Sequence, residues 1–153
     1  MITTALARSL RAAGLGWTPR SGDSFRIDQP DFDGDGDVFT VSEMTIESHE
    51  FATGTILGFN GTTEWALDSL AVEHALWLPR EDQLRELLRD AFRSLTRVDV
   101  PGPVDTPGPV GVSGRYRVLI EEGGRPGVHD ADSPANAYAG ALLSLLTADT
   151  HCV

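Results

Sequence analysis

The chain has 153 residues, in which all twelve basic side chains are arginine and 23 side chains are acidic, so the formal net charge at pH 7 is −11. The absence of lysine excludes Schiff-base lysine chemistry, a Ser–Lys dyad and a Walker-type phosphate loop, because each of these needs a lysine amine. The negative charge argues against a nucleic-acid partner, and the sequence contains no run of eighteen apolar residues that would predict a membrane span.

The N-terminal segment is predicted to be helical. Apolar residues recur on one helical face of residues 3–13, Thr3 or Thr4 is suited to cap the start, and Gly14 is suited to end the helix.

Strands are predicted to follow this helix. A short strand is expected at 25–28, and residues 37–48 and 53–60 are rich in β-branched and aromatic side chains, which predicts two or three antiparallel strands. A short second helix is predicted over 62–72.

The clearest periodic segment covers residues 80–95, and Pro79 marks its start. Its apolar residues follow the spacing of a helix face that packs on a core. They are Leu84, Leu87, Leu88, Ala91, Phe92 and Leu95. The pattern predicts a long helix.

Residues 101–111 contain four prolines and three glycines, which predicts a flexible surface loop. This loop is expected to join a strand at 95–100 to a strand at 114–121, in which apolar and polar residues alternate. A glycine-containing hairpin turn and a last short strand around Val128 follow.

Ser133 is expected to cap a final helix, with Pro134 at its first position. Helices and strands therefore come in runs instead of alternating strictly. This order predicts an α+β fold that forms one domain over residues 1–150. We expect a mostly antiparallel sheet of about five strands, with three to four helices packed mainly on one face.

An acidic loop resembles the start of an EF-hand. With Asp31 in the first ligand position, Asp33 and Asp35 fall in the third and fifth, and Asp37 follows the glycine of the sixth. The pattern departs from an EF-hand where the bidentate glutamate is required, because Glu43 comes one residue late. The loop is interpreted either as a Ca²⁺ site formed by these five residues or as a flexible acidic turn.

Two further segments are candidates for ligand or partner binding. Arg85, Arg89 and Arg93 repeat every four residues, which on a helix makes a basic stripe, although interleaved acids can pair with it. Asn60 and Thr62 lie at a predicted strand-to-helix junction, where backbone N–H groups favour an anion.

Several phrases of the sequence resemble a known family. They are VFTVSEMTIE, ILGFNGTTEWALDS, LWLPREDQLRELL and SPANAYAGALLSLL. Together they are similar to small actinobacterial proteins of unknown function, which are sometimes labelled pilus assembly proteins of the CpaE type. That label implies a MinD-like ATPase, but a chain without lysine has no phosphate loop to support this activity.

The single cysteine, Cys152, cannot form an intrachain disulfide, so a cytoplasmic location is expected. The residue patterns indicate a regular core without a convergent catalytic triad. We therefore predict a non-catalytic module that binds a protein partner or forms a homodimer. The alternatives are divalent-metal binding by the acidic loop and binding of a small anion near Asn60–Glu64.

Overall fold

A computed structural model describes residues 1–29, 37–42, 45–59, 69–100 and 113–150. Within these ranges the α-helices are α1 (Thr4–Ala12), α2 (Glu81–Leu88) and α3 (Pro134–Thr150). The strands are β1 (Ser24–Ile27), β2 (Phe39–Thr40), β3 (Ile46–Phe51), β4 (Gly54–Phe59), β5 (Ser69–Ala71), β6 (Ala75–Trp77), β7 (Phe92–Val100), β8 (Ser113–Glu122) and β9 (Arg125–Ala131). Short 3₁₀ turns occupy Val72–His74 and Arg89–Ala91.

The α+β class is confirmed, but the prediction of one sheet of about five strands is wrong. The described strands form three antiparallel sheets of three strands each, in the orders β2-β1-β6, β3-β4-β5 and β7-β8-β9. Sequence patterns predicted no strand at β5 or β6. Both strands are three residues long, too short to display a period, and they form by pairing with β4 and β1.

The chain divides into two compact units. Met1–Gly14 and Glu81–Val153 form the first unit, and Leu15–Arg80 forms the second. The second unit carries three arginines and twelve acids, so most of the net negative charge belongs to it. The single domain over residues 1–150 stays a prediction, and the Pro/Gly loop at 101–111 lies outside the described residues.

The second unit has an apolar core shared by its two sheets. The buried members are Phe25, Ile27, Val41, Ile46, Leu57, Leu70 and Ala75, and Trp17, Phe39 and Phe59 pack against them. The indole of Trp17 stacks on Trp77 at a ring-centroid distance of 6.1 Å. Buried side chains from five of the strands thus form one core over two small sheets.

The prediction of a helix over residues 62–72 is wrong for its C-terminal part. Residues 60–68 lie outside the described ranges, while Ser69–Ala71 is strand β5. Leu70 of β5 pairs with Leu57 of β4, and both side chains are buried in the core. Burial against β4 therefore decides the conformation of this segment, and helical spacing of its apolar residues does not.

In the first unit, the predicted N-terminal caps of two helices are confirmed. Thr3 caps α1, accepting a hydrogen bond at its hydroxyl from the Leu6 backbone N–H at 3.3 Å. Ser133 caps α3 in the same way through the Asn136 N–H at 3.2 Å. These side chains bind backbone donors that lack a partner in the first helical turn.

The long helix predicted over 80–95 is wrong in its second half. Helix α2 ends at Leu88, a 3₁₀ turn follows, and β7 begins at Phe92. Arg89 adopts a φ of 48°, in the left-handed region that commonly ends helices. Residues 92–100 instead form eight registered pairs with β8. The helical spacing of Leu84 and Leu88 is real, but the ladder with β8 determines the structure beyond them.

The sheet of the first unit is a meander whose second turn is a tight hairpin. Gly123 and Gly124 join β8 to β9 with φ values of 55° and 78°. Two consecutive residues with positive φ match the twist of the flanking strands, and glycine adopts this conformation without steric cost. The predicted hairpin turn is confirmed.

In the described part of the chain, no helix combines the length and the apolar character needed to cross a membrane.

Candidate functional site

The acidic loop falls mostly outside the described residues. Asp31, Asp33, Asp35 and Glu43 lie outside them, and Asp37 is exposed. Elsewhere in the described ranges, no three His, Cys, Asp or Glu side chains come together as a group that could hold a metal ion. The Ca²⁺ site stays a prediction.

The candidate anion site at Asn60 and Thr62 also lies outside the described residues. It too stays a prediction.

The predicted basic stripe is not a helix face. Arg85 lies on α2, where its guanidinium stacks over the Phe92 ring at 3.8 Å from the ring centroid. Arg89 belongs to the 3₁₀ turn, and Arg93 belongs to β7, where it donates to Glu121 Oε2 at 3.3 Å. The four-residue spacing loses its meaning once the helix ends at Leu88, because a strand sends alternate side chains to opposite faces.

A histidine and a serine meet between β9 and α3. His129 Nε2 lies 3.1 Å from Ser144 Oγ, and the serine hydroxyl donates to the Ala141 carbonyl at 2.8 Å. Burial lowers the pKa of His129, and the Asp130 carboxylate opposes this effect. Because the Ser144 hydroxyl donates its hydrogen to the Ala141 carbonyl, its oxygen is left to accept from Nε2–H of His129. In this arrangement the histidine does not act as a base for the serine. This contact therefore fixes α3 on the sheet.

A shallow cavity of about 250 Å³ lies in the second unit. It is lined by Pro19, Ser21, Val41, Ser42, Glu47 and Ser48. Its hydroxyls can bind a small polar molecule, but the volume is below the roughly 300–1,000 Å³ of most ligand sites. The Glu47 carboxylate is also 3.6 Å from His49 Nε2.

The two faces of the β7-β8-β9 sheet differ in what covers them. Val118 and Ile120 are buried on the face where α3 packs, as the contact of α3 with His129 of the same face shows. The intervening residues of β8 point to the opposite side, since side chains alternate along a strand. We call this opposite side the outer face.

The outer face consists of four rows of side chains in register across the strands. From one end they are Val98–Arg115, Thr96–Arg117–Asp130, Ser94–Leu119–Val128 and Glu121–Pro126. Val128 is 56% exposed, one of the few large apolar side chains of the described residues with such exposure. Leu119 beside it is half-buried. An apolar centre is therefore flanked by charged residues.

A bidentate ion pair stiffens this face. Arg117 donates from Nε to Asp130 Oδ1 at 2.8 Å and from Nη2 to Asp130 Oδ2 at 2.7 Å. The hydrogen bond from Arg117 lowers the pKa of the Asp130 carboxyl, so this group stays ionised near neutral pH. The two residues are registered partners on adjacent strands, which holds both side chains in one orientation.

The sequence predicted the β8 residues of this face but not their neighbours on the adjacent strands. The alternation in 114–121 predicted that Arg115, Arg117 and Leu119 share one side of a strand. It did not predict the partners that β7 and β9 contribute. Those depend on registers that the hairpin turn and the β7 ladder determine.

No protein-family model, curated protein or solved structure matches the chain. The resemblance to the small actinobacterial proteins therefore stays a prediction.

Proposed function

We propose that the chain is a binding module that docks a protein partner on the outer face of the β7-β8-β9 sheet. The observation that carries this proposal is the exposed Val128 beside half-buried Leu119, with charged residues of both signs in the two neighbouring rows. Protein interfaces of moderate strength combine an apolar centre with a polar rim in this way.

The architecture suits such a surface. The opposite face of the same sheet carries α3, which is held by the Ser144–His129 contact and by the packing of Tyr138 on Phe92 at 5.7 Å between ring centroids. The strands that present the outer face are therefore fixed before a partner arrives, which lowers the entropic cost of association.

The chemistry of the outer face favours binding over catalysis. Two of its ion pairs join neighbouring side chains, Arg117 with Asp130 and Arg93 with Glu121. A general base or nucleophile needs a perturbed, accessible group in a cleft, whereas these paired groups lie on a sheet surface.

Site-specific photo-cross-linking in the native cells tests the proposal. A benzophenone amino acid replaces Val128 in one variant and Phe51 in the matched control, because Phe51 is 59% exposed and lies on β3 of the second unit. We expect a discrete cross-linked protein adduct from position 128 and a much weaker one from position 51.

A second substitution links the adduct to the surface. Leu119→Arg adds a charge to the apolar centre, so it should abolish the adduct from position 128 while leaving the fold intact by circular dichroism. An equal yield from both positions, or no adduct from position 128, contradicts the proposal.

A further inference from the structure

We infer that the partner on the outer face is a second copy of this chain, placed antiparallel across a two-fold axis at Leu119. This inference rests on the proposed function, since it names the occupant of the same surface. It is carried by the order of charges along β8.

The outward side chains of β8 change from positive to negative along the strand. Arg115 and Arg117 come first, Leu119 is central, and Glu121 follows. Because alternate residues of a strand are about 7 Å apart, Arg117 and Glu121 lie at equal distances on either side of Leu119. The strand is thus complementary to its own reversed copy.

A two-fold axis through Leu119, in the plane between two facing sheets and perpendicular to β8, uses this complementarity. The rotation reverses the strand, so Arg117 of each copy faces Glu121 of the other. Leu119 faces Leu119, and Val128, its registered neighbour on β9, faces Val128. One symmetric operation therefore forms two ion pairs around an apolar centre, as an isologous interface requires.

The atoms needed for these contacts are available within the described structure. Arg117 binds Asp130 through Nε and Nη2, which leaves Nη1 for another acceptor. Glu121 accepts from Arg93 at Oε2, which leaves Oε1 for another donor. The pairs within each copy and the pairs between copies can exist together and form a charged network.

The charges also select this orientation over the alternative. If the axis ran parallel to β8, each row would face the same row of the other copy. Arg117 would then oppose Arg117, and Glu121 would oppose Glu121. Like charges placed opposite each other disfavour that arrangement.

The size of the surface predicts a weak dimer. Three strands about 4.8 Å apart and about seven residues long at about 3.4 Å per residue cover roughly 350 Å² per copy. Two such faces fall below the roughly 1,200–2,000 Å² of total area that stable interfaces bury. Self-association is therefore reversible and depends on protein concentration.

Sedimentation equilibrium of the purified full chain at fixed ionic strength, from about 10 µM to about 1 mM protein, measures this association. We expect a monomer–dimer equilibrium for the natural sequence. Arg117→Glu and Glu121→Arg each place like charges at both symmetric contacts, so each variant alone should dimerise at least about tenfold more weakly.

An equimolar mixture of the two variants provides the decisive measurement. In a mixed dimer, the carboxylates of the first variant face the guanidiniums of the second at both contacts, so the mixture should dimerise as the natural chain does. A variant that merely loses its fold cannot be rescued by mixing. The matched control is Arg125→Glu, which has the same charge change but lies on β9 with the opposite side-chain direction, and its dimerisation should be unchanged.

Any of three outcomes overturns the inference: a natural chain that stays monomeric to about 1 mM, a mixture that is not rescued, or a control that loses dimerisation. A monomeric chain that still forms a position-128 adduct with a different protein refutes the second copy and leaves the proposed function standing. A chain with neither property refutes both.

Discussion

The buried carboxylate of Asp23 is expected to be the most sensitive polar site in the second unit. Its residue is 2% exposed, and it accepts hydrogen bonds from Trp17 Nε1–H and from the Arg20 backbone N–H, both at 3.0 Å. Arg80 Nη1 lies 3.4 Å from the other carboxylate oxygen. Asp23→Ala removes the acceptor of the Trp17 and Arg20 N–H groups, whereas Arg80 Nη1 keeps its hydrogen bond to the Gly22 carbonyl at 2.9 Å.

The expected loss in the free energy of unfolding on Asp23→Ala follows from these hydrogen bonds. Each of the two bonds at 3.0 Å contributes about 1 kcal/mol, and a half-buried indole N–H left without its acceptor adds a further desolvation penalty. The contact with Arg80 adds little, because the arginine side chain is 44% exposed and its charge is screened by water. The substitution should therefore lower the free energy of unfolding by about 3 kcal/mol.

Urea denaturation followed by tryptophan fluorescence measures this change. All three tryptophans of the chain lie within Leu15–Arg80, so the signal reports on the second unit. Glu50→Ala is the matched control, because it removes one exposed acid from the same unit and should change the free energy of unfolding by less than about 0.5 kcal/mol. If Asp23→Ala costs no more than Glu50→Ala, the carboxylate does not hold this part of the fold together.

Three further changes test the first unit, with circular dichroism as the readout of unfolding. Because burial lowers the pKa of His129, the unfolded chain takes up a proton first as pH falls below about 6.5, so stability declines from there toward the folded-state pKa. His129→Gln should remove that part of the decline. Arg89→Gly should raise the free energy of unfolding by about 1 kcal/mol, because glycine tolerates the positive φ at the end of α2. Gly127→Ala should lower it by about 1–3 kcal/mol, because the new methyl group would meet buried Ile120 Cγ1 at 2.8 Å.

The substitutions at Arg89 and Gly127 each have a matched control. Glu86→Gly, in the exposed interior of α2, should have the opposite sign to Arg89→Gly, with a loss of about 1 kcal/mol. At Gly114 the three atoms nearest to a new methyl group all belong to the movable guanidinium of Arg97, so Gly114→Ala should be milder than Gly127→Ala. Equal effects of the two alanine variants, or a pH profile that His129→Gln does not alter, would contradict these explanations.

Local signals in the sequence predicted the helix starts and the hairpin. Thr3 and Ser133 cap their helices through bonds to backbone donors three residues ahead, so a short window of sequence suffices. Two consecutive glycines likewise determine the turn between β8 and β9. The candidate site was predictable only in part, because the alternation along β8 showed which of its own residues share a face but not which residues of β7 and β9 lie beside them.

The predictions that were wrong concern segments in which a helical spacing of apolar residues competes with strand pairing to a distant segment. Phe92 and Leu95 continue the helical stripe of α2, yet both belong to β7, where they pair with Ile120 and Val118 of β8. Leu70 has the spacing of a helix face but is buried against Leu57 in a strand pair. Apolar spacing alone does not distinguish these cases, because either conformation buries the same side chains.

Composition and short patterns by themselves determined the α+β class, the concentration of acidic residues before Arg80, and the exclusion of lysine chemistry. Tertiary structure alone decided that the described strands form three small sheets, that Arg85, Arg89 and Arg93 lie on different elements, and that β7 and β9 place Ser94 and Val128 beside Leu119. The reason is physical: caps, turns and charge depend on neighbours in sequence, whereas strand pairing depends on burial and hydrogen bonding between segments far apart in the chain.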